Sequence, residues 1–323
     1  MMNKKLLPIN VQNFLIKYSI NFSSIAPIKN DASKRKYFII KNDSKKKIIM
    51  DSSLEKKSLS NFILISNWLT KNHYSAPNIY KKDLKNGILV IENFGKEKFS
   101  YIIKNNKSKK IYLYKKAIDF LINLSRSTPP TFLNTYNNKI LFKELSLFYK
   151  WHLCLSNKKN SKQIVEWNKI WKKLFNKIEN KENCIVLRDF HVDNIFYLKN
   201  RKNIKNIGVI DFQDGLLGHP AYDLVSLLQD VRTFISIKNQ KILYKYYEKK
   251  MNYNKNNFET TYLILGTQRL FKIIGIFERL AKDQGKTLYL NYLPRTWKLL
   301  SHNLNYPIFK DLKFWISNNK KIK

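Results

Sequence analysis

Cysteine is nearly absent: Cys154 and Cys184 are the only two in 323 residues. Two thiols cannot staple a chain of this size, and their spacing matches no metal-ligand pattern. That excludes a disulfide scaffold and a cysteine metal site, and points to a reducing cytosol. No apolar run approaches the roughly 18 residues of a membrane helix. The opening stretch is interrupted by Pro8, Asn10, Gln12, Asn13 and Lys17, which is unlike a secretory signal. Internal repeats and low-complexity tracts are also missing, beyond a bias toward lysine and asparagine. Acidic residues are scarce, 23 against 61 basic, giving a net charge of +38. Only eight of the basic residues are arginine, whose bidentate fork is what groove and phosphate readers favour. The lysines are spread along the whole chain, so the charge reads as compositional drift on tolerant surface positions rather than a dedicated nucleic-acid surface.

What is present is apolar material: 44% hydrophobic and 14% aromatic residues, enough for a large core and incompatible with wholesale disorder. At about 150 residues per domain the length suggests two lobes. The first ninety residues read as strand-rich. An amphipathic helix over residues 9–20 precedes β-prone runs at 24–29, 36–41 and 47–51, joined by the turns Asn30-Asp31-Ala32-Ser33 and Asn42-Asp43-Ser44. Residues 58–71 have helical spacing, with Leu59, Phe62, Ile63, Trp68 and Leu69 on the apolar face and Ile65 less well placed. A continuous apolar strand at 87–91 ends at Glu92-Asn93-Phe94-Gly95, where we set the boundary between lobes 1–95 and 96–323. The remainder is helical over 111–124, 142–153 and 164–178, then again from Ala221. One β island lies at 184–212.

That island carries the chemistry. It reads Leu187-Arg188-Asp189-Phe190-His191-Val192-Asp193-Asn194, then two β-prone runs at 195–198 and 207–210, then Asp211-Phe212-Gln213-Asp214. If the two runs pair as an antiparallel hairpin, Asn194 and Asp211 become neighbours and the loop carrying Asp189 opens on the same edge. A carboxylate and an amide oxygen suit magnesium, which takes one or two carboxylates plus phosphate oxygens. Asp189, five positions earlier, is then free to accept the proton of an attacking hydroxyl.

These residues, with Gly218-His219-Pro220-Ala221-Tyr222-Asp223-Leu224 after them, resemble the aminoglycoside phosphotransferase and choline kinase superfamily. The likeness is strongest to bacterial kinases that phosphorylate N-acetylmuramate and N-acetylglucosamine at the anomeric hydroxyl. Asp31-Ala32-Ser33, Ile49-Met50-Asp51, Gln268-Arg269, Lys272, Gly275-Ile276-Phe277, Arg279-Leu280 and Leu293-Pro294-Arg295 add to it. The resemblance implies an α+β, bilobal protein-kinase-like fold with a small β-rich N-lobe and a larger helical C-lobe. It implies ATP and Mg2+ as cofactors, Asp189 as catalytic base, and Asn194 and Asp211 as metal ligands. Glu92 and Phe94 fall in the hinge where adenine meets main-chain groups. Ser33, Lys34, Arg35 and Lys36 fall in the turn that covers the phosphates. Asp223 and His191 support the catalytic loop, and Arg188, Asp214, Gln268, Arg269 and Lys272 are candidate substrate contacts, Asp214 alternatively meeting a second metal or its water shell.

The sequence departs from the superfamily in three places, one of them a phosphate turn with neither G-x-G-x-x-G nor G-x-x-x-x-G-K. Leu187 and Arg188 replace the usual histidine and glycine before the aspartate. Met50 stands where a third-strand lysine is usual, leaving Lys34, Arg35 or Lys36 to supply the phosphate-binding cation. With that lysine missing, Glu55 is not expected to pair with such a cation. His219, before Pro220, reads as a turn residue. His73, His152 and His302 are isolated, and Trp167 and Trp171 read as core. The expectation is a cytoplasmic small-molecule kinase with no dedicated nucleic-acid partner and no membrane insertion, acting on an amino sugar. The alternatives are a kinase for an aminoglycoside, choline or homoserine, or an inactive kinase-shaped protein binding RNA or an acidic partner.

Overall fold

A computed structural model describes residues 7–28, 34–41, 47–155, 159–178, 184–251 and 255–319. Chain order begins α1 (Ile9–Lys17), β1 (Ile25–Ile28), β2 (Lys36–Ile40), β3 (Lys47–Asp51), α2 (Lys56–Lys71), β4 (Ile79–Asp83) and β5 (Ile88–Glu92). Helices follow: α3 (Phe99–Asn105), α4 (Lys110–Arg126), α5 (Asn138–Leu147) and α6 (Ser161–Phe175). Short strands β6 (Cys184–Val186), β7 (Ile195–Tyr197), β8 (Ile207–Val209) and β9 (Leu216–Gly218) come next. The chain then closes with α7 (Ala221–Leu228), α8 (Ile237–Lys250), α9 (Lys255–Gln284), α10 (Leu293–Asn303) and α11 (Lys310–Asn319).

The contacts divide the chain into two compact units, Met1–Phe120 with Val192–Gly215, and Leu121–His191 with Leu216–Lys323. The first is built on a five-stranded antiparallel sheet in the order β1-β2-β3-β5-β4. The β-branched runs that the sequence offers as strands lie in it. Val11, Phe14 and Leu15 of α1 cover one side, in a cluster with Phe38, Ile49, Ile88 and Val90. On α2, Leu59, Phe62, Ile65 and Leu69 are buried. Ile65, poorly placed by sequence spacing, is fully covered whereas Ile63 is only half-buried. Strand β4, Ile-Tyr-Lys-Lys-Asp, has no sequence signature because it pairs only with β5 at the sheet edge and leaves its lysines exposed.

The second unit is mainly helical, with β6 and β9 as its two-stranded sheet. Trp167 and Trp171 are wholly buried among Phe148, Phe271 and Trp315. The helical run expected over 142–153 gives way after Leu147 to a wider turn at Phe148–His152. There α9 comes so close that a Cβ on Gly275 would stand 2.3 Å from the Leu147 carbonyl carbon.

Candidate active site

In the first unit the hairpin β7–β8 pairs in the register Ile195↔Val209. The Ile210 amide donates to the Asn194 carbonyl at 3.1 Å, extending the ladder by one step. That step is what sets Asn194 against Asp211, with Asn194 Nδ2 3.5 Å from Asp211 Oδ2. Asp211 has a left-handed backbone, φ 63°, which turns the chain sharply at the strand end. Gln213 Nε2 donates to Asp211 Oδ1 at 2.9 Å, and Phe212 stacks on Phe62 at 5.1 Å. Asp214 is exposed.

Arg35 immediately precedes β2 and is 2% exposed. Its Nη2 donates to Ser58 Oγ at 2.8 Å, its Nε lies 3.5 Å from Glu55 Oε2 and its Nη1 lies 4.0 Å from Asp211 Oδ1. Glu55 therefore does have a buried cation beside it, contrary to the sequence expectation. The guanidinium arrives from the start of β2, one strand away from the empty lysine position at Met50. Lys34 and Lys36 are exposed, and Ser33 lies outside the described residues along with the turns at 30–33 and 42–44.

At the end of β5, Glu92 pairs with Arg201 and accepts from Asn78 Nδ2 at 2.7 Å. Phe94 lies edge-on to Phe196 at 5.6 Å and against Gly208, where a Cβ would fall 2.8 Å from its ring. Among the described residues no three His, Cys, Asp or Glu side chains stand together as a metal cage. The pair Asn194 and Asp211 instead offers one amide and one carboxylate. That donor set fits a hard divalent cation whose remaining ligands come from phosphate and water.

In the second unit Asp189 follows β6 on a tight loop. The Asp189 amide donates to the Leu187 carbonyl at 2.9 Å and the His191 amide to the Asp189 carbonyl at 3.1 Å. Buried Asp223, in the first turn of α7, accepts from the Leu187 and Arg188 amides at 2.6 and 2.8 Å. Burial pushes Asp223 up to about 7, against those two hydrogen bonds and the charge of Arg269. Arg232 Nη1 approaches His191 Nε2 at 3.1 Å. His219 Nδ1 accepts the Ala221 amide at 3.1 Å, and burial holds its pKa down at about 4, so it shapes the turn into α7 as a neutral ring.

Arg188, Gln268 and Lys272 converge on Glu144, a residue the sequence reading passed over. Arg188 Nη2 and Lys272 Nζ (2.9 Å) meet Oε1, while Gln268 Nε2 (2.9 Å) and the Tyr136 hydroxyl meet Oε2. Arg269, by contrast, is buried and bears on Asp223 rather than on Glu144. Burial pushes Glu144 up, but the Lys272 and Arg188 charges outweigh it and hold the carboxyl down at about 2. A signal did exist: Glu144 lies on the apolar stripe of α5 with Leu141 and Leu145, where an unpaired carboxylate would be prohibitive.

A family model described as the phosphotransferase enzyme family matches residues 24–248. The chain belongs to that family. It is thus a phosphotransferase, and known proteins align along most of it. It is 29% identical over 265 residues to the N-acetylmuramate/N-acetylglucosamine kinase of Caulobacter vibrioides, covering 79% of this chain and 73% of that one. To the kinase of the same name from Pseudomonas aeruginosa it is 26% identical over 289 residues, covering 86% and 83%. Among solved structures it resembles the gentamicin–APH(2'')-IIa complex, with a TM-score of 0.64 at 16% identity, covering 96% and 99%. A choline/ethanolamine kinase family protein from Mesorhizobium loti gives 0.64 at 10% identity, covering 95% and 99%. At those identities the structural likeness speaks for the fold, an α+β kinase-like architecture.

Proposed function

We propose that this phosphotransferase moves the γ-phosphoryl group of ATP to the anomeric hydroxyl of N-acetylmuramate or N-acetylglucosamine, in the recycling of cell-wall sugars. The reaction rests on one observation above the others, the Asn194–Asp211 pair at the mouth of the β7–β8 hairpin. The acceptor rests on the relatives at 26–29% identity that carry those two sugars in their names.

In this reading the acceptor oxygen forms a bond to the γ-phosphorus as the bond from phosphorus to the β,γ-bridging oxygen breaks, and ADP departs. Asp189 takes the acceptor proton. Asn194 and Asp211 would hold magnesium, which when bound neutralises phosphate charge. Arg35, kept in place by Glu55 and Ser58, supplies the cation toward the phosphates that Met50 cannot. Lys34, Lys36 and Ser33 border it in sequence, and the segment carrying Glu92 and Phe94 receives the adenine through main-chain groups. Residues 1–95 act as the nucleotide lobe and 96–323 as the catalytic lobe. Among the described residues no helix is long and apolar enough to cross a membrane, and both cysteines are unbridged, in keeping with a reducing cytoplasmic setting.

The test is a panel assay of ADP release with N-acetylmuramate, N-acetylglucosamine, choline, homoserine and an aminoglycoside. Turnover of an amino sugar, with the product's phosphate at the anomeric carbon, is the expected result. Turnover of choline, homoserine or the aminoglycoside with neither sugar active would overturn the acceptor assignment.

A further inference from the structure

Glu144 is 7% exposed and plays no part in the chemistry described above. Both of its oxygens are nonetheless fully engaged, by Arg188, Lys272, Gln268 and Tyr136. These partners come from the segment before α5, from α9 and from the loop after β6. Lys272 Nζ is also 3.3 Å from the Tyr222 hydroxyl on α7, and the Arg188 guanidinium lies over the Tyr136 ring at 5.3 Å.

Arg188 is the residue immediately before Asp189. Its backbone is left-handed, φ 69°, a conformation a side chain with a Cβ adopts only when its surroundings fix it. Two carboxylates do so: Asp223 binds its amide and Glu144 binds its guanidinium. Two cations, Arg188 and Lys272, therefore face Glu144. The other carboxylate whose charge reaches both of them is Asp189. Without Glu144, both cations would still bear on the charge of Asp189 with no carboxylate between them to balance it.

We infer that Glu144 is a positioning residue for phosphoryl transfer: it gathers Arg188 and Lys272 onto itself and so fixes the loop that carries Asp189. The inference rests on the assignment of Asp189 as the base. It also gives Arg188, Gln268 and Lys272 a first partner inside the protein, so their effect on the acceptor runs through the geometry that Glu144 sets.

The experiment compares wild type, E144Q, K272M, the E144Q/K272M double variant and D189N in steady state, well below each melting temperature. E144Q keeps the shape and removes the charge. It should lower kcat by about tenfold to a hundredfold, the usual cost of losing a buried partner of a reacting group, with the KM for ATP little changed. K272M removes the surplus cation, so the double variant should regain part of that loss, and the two losses should fall short of multiplying. A purely structural role would give the same recovery in melting temperature, while leaving the kcat of the folded single variants near that of wild type. E144Q at near wild-type kcat, or a double variant as slow as the product of the two single losses, overturns the inference while an inactive D189N leaves the base assignment standing. An active D189N overturns both. Should E144Q fail to fold, the charge-balanced double variant decides alone: kcat within about tenfold of wild type supports the inference, and a larger loss overturns it.

Discussion

Buried Arg35 pairs with half-exposed Glu55, Nε to Oε2 at 3.5 Å, at a position where the third strand offers only Met50. The same guanidinium reaches to 4.0 Å from Asp211. One cation thus stands between the helix that follows β3 and the carboxylate proposed to hold the metal.

Replacing Arg35 with methionine should therefore raise the KM for ATP by about tenfold to a hundredfold, the worth of one charge-assisted contact to phosphate. R35K should recover only part of this, because a lysine ammonium cannot span Ser58 and Glu55 together. ATP titration of each variant checks it, and an unchanged KM in R35M would move the phosphate cation elsewhere.

The hairpin pair leads to a second prediction. Asp211→Asn replaces a charged ligand by a neutral one, so activity should fall while the magnesium concentration needed for half-maximal rate rises. Chelation with EDTA should abolish turnover of the wild type, and added magnesium should restore it. A D211N enzyme with an unaltered magnesium dependence would contradict the assignment.

His219 makes stability depend on pH. Its folded pKa, about 4, lies below the ordinary histidine value of 6.5. Between those values the unfolded chain binds a proton that the folded chain does not, so stability falls as pH drops from about 6.5 through 4. The whole contribution is at most about 3 kcal/mol. His219→Asn keeps an acceptor for the Ala221 amide and removes the titration. Urea midpoints measured from pH 4 to 7 should show a shallower slope in H219N than in wild type; parallel slopes would argue against a buried neutral ring.

Gly275 allows α9 to meet the chain at Leu147 with no intervening side chain. G275A puts a methyl into backbone, which cannot rotate aside, and should cost about 1–3 kcal/mol, read as a lower thermal midpoint. A variant as stable as wild type would mean that the two helices separate at little cost.

How much of this was legible in the sequence follows from how local each feature is. The strands β2, β3 and β5 announce themselves by runs of Ile, Val and Phe, and the Asn194–Asp211 pairing follows from two β-prone runs and a polar connection. Strand β4 was missed because an edge strand with exposed lysines has no apolar alternation. Glu144 was missed although it breaks an apolar helix face, because its partners come from residues up to 128 positions away. The Arg35–Glu55 pair has no signal on β3, where Met50 stands, because its cation enters from just before β2. A long side chain from the neighbouring strand reaches the same carboxylate.

Phosphoryl transfer in this reading depends on Asp189 receiving the acceptor's proton. Rapid-quench measurement of phosphoryl transfer to N-acetylmuramate, comparing wild type with D189N at saturating ATP, tests it most directly. The expected result is a loss of about two to four orders of magnitude in the chemical step with nucleotide binding preserved. A loss smaller than about tenfold would contradict it.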